Sequence, residues 1–268
     1  MILAIPSSWA LWFSALTAVA YALPALAASR MGGLAARRFL LLAWPLHGLS
    51  LAAGLFGQSP RFGFAPALSV TVWWVLTAYV VESQYFPQLK ARWAMAGLGS
   101  AAVLLALVFP GQILNVSASA WLPLHWALGI ASYGMFAAAV IHAALMTSAE
   151  IEIRQGNENQ SGLPLLTLER LMFRFVLLGF ILLTLTLIAG FLFGELLYGA
   201  AGAHWKWDHK TVFSLLSWLT FGALLLGRHQ FGWRGRRAVR VLYTGSAFLL
   251  LAYAGSRFVI EVVLGRNL

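Results

Sequence analysis

Long apolar runs separated by short polar ones set the pattern of this chain from end to end. A helix crossing a bilayer needs about 20 mostly apolar residues. On that rule eight spans are predicted, at roughly 7–29, 37–57, 65–84, 92–109, 121–148, 172–197, 210–227 and 238–262. The expected fold class is therefore all-α, a polytopic integral membrane protein of about eight transmembrane helices. The chain reads as one membrane domain, 1–268, with no soluble domain of any size. Ala25-Leu26-Ala27 has the small-residue spacing of a signal-peptidase site, but no basic residue precedes Arg30, so the first run is expected to stay as a span. Pro24, Pro45, Pro87 and Pro110 lie inside or at the ends of spans, where neighbouring helices tolerate kinks. The longest polar stretch, 149–170, is predicted to be a flexible cytoplasmic loop.

Composition agrees with the pattern. Apolar residues make up 61% of the chain, charged ones only 10%, and the mean hydropathy is +0.81. A soluble domain carries roughly 25% charged residues. The formal charge of +10 does not indicate nucleic acid, because the basic residues sit in short loops beside apolar runs. Of the 18 lysines and arginines, 13 fall in the loops after spans one, three, five and seven. The positive-inside rule then puts those loops in the cytoplasm and both termini on the extracytoplasmic side. In a bacterium that means the inner (cytoplasmic) membrane, with the loop before span seven facing the periplasm. With no cysteine, thiolate metal sites and thiol redox chemistry are excluded.

That loop concentrates the chemistry of the chain. It reads Ala203-His204-Trp205-Lys206-Trp207-Asp208-His209-Lys210. Taken singly its residues have plain roles: indoles in an interfacial belt, solvated lysines, and Asp208 as the N-cap of span seven. Taken together, paired indoles offer a flat apolar surface and imidazoles can ligate iron, a combination suited to a porphyrin. His125 stands near the outer end of span five, on the same side as the loop. His142 lies 17 residues further along the same helix, about 25 Å away at 1.5 Å per residue, so the two cannot share a metal. His142 reads as interfacial. His47, mid-span, is either a pore or ligand group or a partner for a neighbouring carbonyl, and Glu82 reads as interfacial. Trp73 and Trp74 are either packing residues or the wall of a flat ligand. Arg257 and Glu261 are four apart in span eight and are predicted to form a structural ion pair.

Trp205, Trp207, Asp208 and Lys210, followed by Trp218 and Arg228, resemble the tryptophan-rich signature of the cytochrome c assembly family, haem-handling membrane proteins. Leu124-His125-Trp126 through Ser132-Tyr133 is similar to that family's span carrying an outward-facing histidine, and Tyr253–Val259 to its ending. The resemblance covers about 120–268, leaving 1–119 as an additional four-helix N-terminal part that matches in topology only. It implies an extracytoplasmic surface cradling haem, with His125 an axial ligand to the iron and His204, Trp205, Trp207, Asp208 and His209 around it. The sequence also departs from the family. The histidine late in the span after the loop is replaced by Leu226, with His229 displaced nearby, and the second outward histidine falls near Leu264. His209 and Thr211 replace the usual Pro and acidic residue. One of three expected ligands is in place.

The function implied is that of a haem carrier, chaperone or accessory in cytochrome c assembly or haem homeostasis. No catalytic residue is assigned. The partners implied are the lipid bilayer, haem and other cytochrome assembly or membrane proteins. Two alternatives stay open: a scaffolding or regulatory protein that kept the fold and lost haem, and a small-solute or ion transporter using His47, Glu82 and Arg257–Glu261.

Overall fold

A computed structural model describes residues 8–27, 30–56, 61–86, 91–113, 122–156, 161–194 and 207–255. Eight helices run through them: α1 Ser8–Leu26, α2 Gly33–Phe56, α3 Phe64–Tyr85, α4 Arg92–Val108, α5 Leu122–Arg154, α6 Leu165–Leu192, α7 His209–Phe231 and α8 Gly235–Leu250, the last continuing as a π turn, Leu251–Gly255. The all-helical expectation holds, with one addition. Arg61–Phe62 pairs antiparallel with Gln112–Ile113, placing Arg61 opposite Ile113. Gly111 makes this short ladder feasible: its φ is +79°, and a Cβ there would lie 2.5 Å from the Phe62 backbone.

Five helices, α2, α3, α5, α6 and α7, are long and apolar enough to cross a membrane. The apolar parts of α1 and α4 are shorter. Helix α8 is amphipathic, because Arg236, Arg237, Arg240, Tyr243 and Thr244 are all exposed along it. Both ends of the polar stretch 149–170 are helical, against its reading as a loop throughout. Helix α5 runs on to Arg154, and α6 already starts at Leu165. An Arg154–Glu150 ion pair one turn apart sustains the end of α5, and Gly156, at φ +76°, follows its end.

The chain packs as two compact units, Met1–Leu114 and Asn115–Leu268. In the first, α1 packs on α2 and α4, and α3 on α4 and α2. Its interior is polar in part. The His47 ring, 1% exposed, places Nε2 2.9 Å from the Ser69 hydroxyl and Nδ1 3.5 Å from the Tyr21 hydroxyl. Tyr21 lies over Gly99, where a Cβ would approach its ring to 3.0 Å, and Ser100 donates to the Ala18 carbonyl at 3.2 Å. Trp44 and Trp73 stack at 6.0 Å, and the Trp73 indole N–H donates to the Trp44 carbonyl at 3.1 Å. A Cβ on Gly48 would reach the Trp73 ring at 3.1 Å. Trp73 is thus a packing residue. His47 bridges three helices instead of lining a passage, and Glu82, expected at an interface, is buried.

In the second unit α5 and α6 form one long hairpin and α7 and α8 another. Halfway along, Phe136 of α5 and Phe221 of α7 stack face to face at 3.7 Å. Glycines on the flanking helices receive the two rings. A Cβ on Gly179 of α6 would sit 3.0 Å from Phe136, and one on Gly245 of α8 only 2.8 Å from Phe221. Without a strong hydrophobic drive between helices in lipid, such small-residue contacts carry the packing. Ser217 adds a hydrogen bond to the Gly245 carbonyl at 2.9 Å.

Candidate functional site

Helix α7 opens on the residues singled out in the sequence. Asp208 takes an extended conformation at the N-cap, and its carboxylate accepts the Thr211 N–H at 2.8 Å. That bond satisfies one of the donors a helix leaves unpaired at its start, and the negative charge meets the positive end of the helix dipole. Trp207, one residue before the cap, holds its indole out, 73% exposed. His209 and Lys210 begin the helix and are exposed as well.

His125 sits in the first turn of α5, half-buried. Its ring lies against Gly190 near the end of α6, with Cε1 3.6 Å from where a Cβ would stand. A side chain at 190 would press on the imidazole. Helices α6 and α7 run antiparallel, with Trp218 on Thr184 and Arg228 on Glu169, so the start of α7 lies at the same end as Gly190. Three helix ends therefore meet at this end of the unit: the start of α5, the end of α6 and the start of α7. Trp207 and Asp208 immediately precede α7 at this end, and His209 and Lys210 form its opening turn. His204 and Trp205, as well as Arg257 and Glu261, lie outside the described residues. Among the described residues no group of three or more histidines or carboxylates could hold a bare metal ion.

The remaining signature residues hold the helices below this end. The Trp218 indole N–H donates to the Thr184 hydroxyl at 2.9 Å, and its ring stacks on Phe180 at 5.6 Å, tying α7 to α6. Tyr133, on the span of His125, donates to the Leu249 carbonyl at 2.7 Å, where α8 passes into its π turn. Leu226 is exposed, and so is His229, one turn before the end of α7. His142 is buried, not interfacial: its Nδ1–H donates to the Ala138 carbonyl at 2.8 Å and its ring meets Phe175 at 5.2 Å.

Sequence reasoning missed the far end of the unit. Glu169, in the second turn of α6, is buried and accepts from Arg228 of α7 at 2.9 Å, with Arg234 at 3.9 Å. The Arg228 guanidinium also lies over the Phe173 ring at 4.5 Å. The helix ends there at Gly232, in the left-handed conformation with φ +61°, and the Trp233 N–H returns to the Gly227 carbonyl at 3.0 Å. Trp233 packs so tightly on Gly227 that any side chain at 227 would collide with it. The available signal was spacing: Glu169 shares a helical face with buried Leu168, Met172, Phe173 and Val176.

Comparison with known proteins places this architecture. A family model described as cytochrome C assembly protein matches residues 33–264. It starts well upstream of the segment, about 120–268, that carries the resemblance read from motifs. Inner membrane protein YpjD of Escherichia coli K12 is 32% identical over 162 residues, covering 59% of this chain and 60% of that protein. Cytochrome c biogenesis protein CcsA of Prochlorococcus marinus is 38% identical over 91 residues, covering 34% of this chain and 28% of the relative. CcsA of Nostoc punctiforme is 39% identical over 89 residues, or 33% and 24% of the two chains. The matches thus span three-fifths of YpjD's length and about a quarter of the CcsA proteins'. No solved structure matches. The breadth of the family match, from α2 to beyond the π turn, decides the assignment: this chain is a membrane protein belonging to the cytochrome c assembly protein family.

Proposed function

We propose that this protein handles haem at the end of its second unit where α5, α6 and α7 meet, as a carrier, chaperone or accessory in cytochrome c assembly or haem homeostasis. The observation carrying this reading is that one half-buried imidazole, His125, stands on a glycine beside the start of α7, where Trp207 leaves a flat apolar surface exposed. A flat indole face next to an imidazole is a surface on which a planar ligand can rest. His125 would supply an axial ligand. Trp207, together with Trp205, would lie against the porphyrin. Lys210 would meet a propionate, and Asp208 would hold Trp207 and His209 in register by capping α7. His204 and His209 are the two residues of the loop that can replace the histidines missing at Leu226 and Leu264. Haem itself would supply the iron and its redox chemistry, and the chain would supply a ligand, a wall and a counter-charge.

The site is extracytoplasmic on this reading, in a bacterial inner membrane. The distribution of lysine and arginine supports that orientation. The CcsA relatives are cytochrome c biogenesis proteins, and the stretch shared with them supports the same class of work here.

The test is spectroscopic. The purified full chain is titrated with haemin and read in the Soret region. A Soret band that shifts with saturable stoichiometry in the wild type, and is shifted or weakened in His125→Ala, supports the reading. Absence of a specific band in the wild type, or a His125→Ala spectrum that matches it, sinks the reading and leaves a scaffold that kept the fold and lost the ligand.

A further inference from the structure

Helix α6 exposes a continuous stripe whose chemistry changes along its length. Arg170 and Arg174, four apart and both exposed, begin it. Leu177, Leu178, Ile181, Leu185 and Ile188 continue the same face, each about half exposed. The helix turns its small residues the other way, with Gly179 under Phe136 and Gly190 under His125. Protein–protein contacts inside a bilayer favour small residues that let backbones approach. A stripe of Leu and Ile alone is what acyl chains pack against. Fourteen residues separate Arg174 from Ile188, so the apolar part extends roughly 21 Å, most of a ~30 Å hydrocarbon core. The arginine pair accordingly stands at the level of one leaflet's headgroups.

Charge identifies the headgroup. Segments 150–174 and 228–240 meet at this end of the unit and hold eight arginines against four glutamates. Glu150 and Glu169 already engage Arg154, Arg236, Arg228 and Arg234, and Arg237 lies over the Trp233 ring at 4.2 Å. Arg170 and Arg174 form no ion pair with a described acidic residue. Two adjacent guanidinium groups with surplus positive charge around them fit a phosphodiester of net negative charge. We propose that the start of α6 is a binding site for an anionic phospholipid, with Arg170 and Arg174 holding the phosphate and Leu177, Leu178 and Ile181 the acyl chain. The site is independent of the haem reading, since it sits at the opposite end of the helix from Gly190 and His125.

The test uses the full chain in neutral detergent, with binding of dioleoyl phosphatidylglycerol and dioleoyl phosphatidylcholine measured by native mass spectrometry. The wild type is expected to prefer phosphatidylglycerol, and the double variant Arg170→Gln/Arg174→Gln to lose affinity for it about tenfold or more. Binding of phosphatidylcholine is expected to stay unchanged. Arg170→Lys/Arg174→Lys, which keeps the charge, is expected to retain most of the preference, and unfolding temperatures in phosphatidylcholine control for folding. Equal binding of the two lipids by the wild type overturns the proposal, as does undiminished phosphatidylglycerol binding by the Gln variant. So does a Gln variant that changes oligomeric mass while binding lipid normally, which would make the stripe a contact with a second copy.

Discussion

His47 and His125 are both imidazoles on membrane helices of one chain, and the two units treat them in opposite ways. The first unit closes around His47. Ser69 and Tyr21, from two other helices, face its two nitrogens, and the ring is 1% exposed. An imidazole used in this way replaces hydrogen bonds that water would otherwise make. The second unit instead sets His125 at the end where three helix ends meet, half-buried and against a glycine. The same residue type therefore acts as a fastener in one unit and is presented at an edge in the other. What decides between the two roles is depth along the helix and the size of the neighbour, not the histidine itself.

The comparison extends to how each unit is held. Around His47 the first unit uses hydroxyl–imidazole contacts and stacked indoles, while the second holds the Glu169–Arg228 charge pair. Breaking that pair should give the largest effect. Glu169→Gln leaves Arg228 without its carboxylate in a largely enclosed site, and removing one partner of a buried pair typically costs about 3–5 kcal/mol. Thermal unfolding of the purified protein in detergent measures it. Arg228→Gln should cost a similar amount, and the double variant much less than the sum of the singles, because two neutral groups then face each other. Additive losses would show that Arg228 is held by Phe173 and Arg234's surroundings and not by Glu169.

The contrast between the two histidines is broken next. His47→Leu should lower stability by about 1–3 kcal/mol, the penalty for leaving Ser69 and Tyr21 buried without their partner. It should leave any haem spectrum as in the wild type. His125→Ala should do the reverse, changing the Soret band while moving the unfolding temperature little. A His47 variant that altered the spectrum, or a His125 variant that lost as much stability as His47→Leu, would erase the distinction between fastener and presented ligand.

Much of this was readable before any coordinates, and the parts that were not share a cause. Apolar run length made the all-helical membrane architecture legible, and Asp208 was legible as a cap because capping is local: an acceptor three residues before an N–H. The family signature was legible for the same reason, being a contiguous loop. The role of His47 was not, since its partners Tyr21 and Ser69 lie 26 and 22 residues away on other helices. Glu169 and Arg228 are 59 apart, and nothing within either segment names the other. Nor could the sequence show that Gly190 faces His125, because a glycine's value lies in what packs on it. The ends of 149–170 read as loop in the sequence because their polar composition hides helix-supporting pairs such as Glu150–Arg154.

The smallest effect sharpens the comparison most finely. Asp208→Ala removes the cap of α7 and should cost about 1 kcal/mol, the usual value for an exposed N-cap. Asp208→Asn, which keeps an acceptor for the Thr211 N–H, should recover most of that loss. If the loop only decorates the unit, the two variants will differ in stability alone. If capping also orients Trp207 and His209 toward His125, haemin affinity will fall in Asp208→Ala and return in Asp208→Asn, following the hydrogen bond and not the charge. Equal weakening by both variants would instead assign the effect to the lost carboxylate. The presented histidine would then depend on the electrostatics of the helix end, and not on the geometry that the cap imposes.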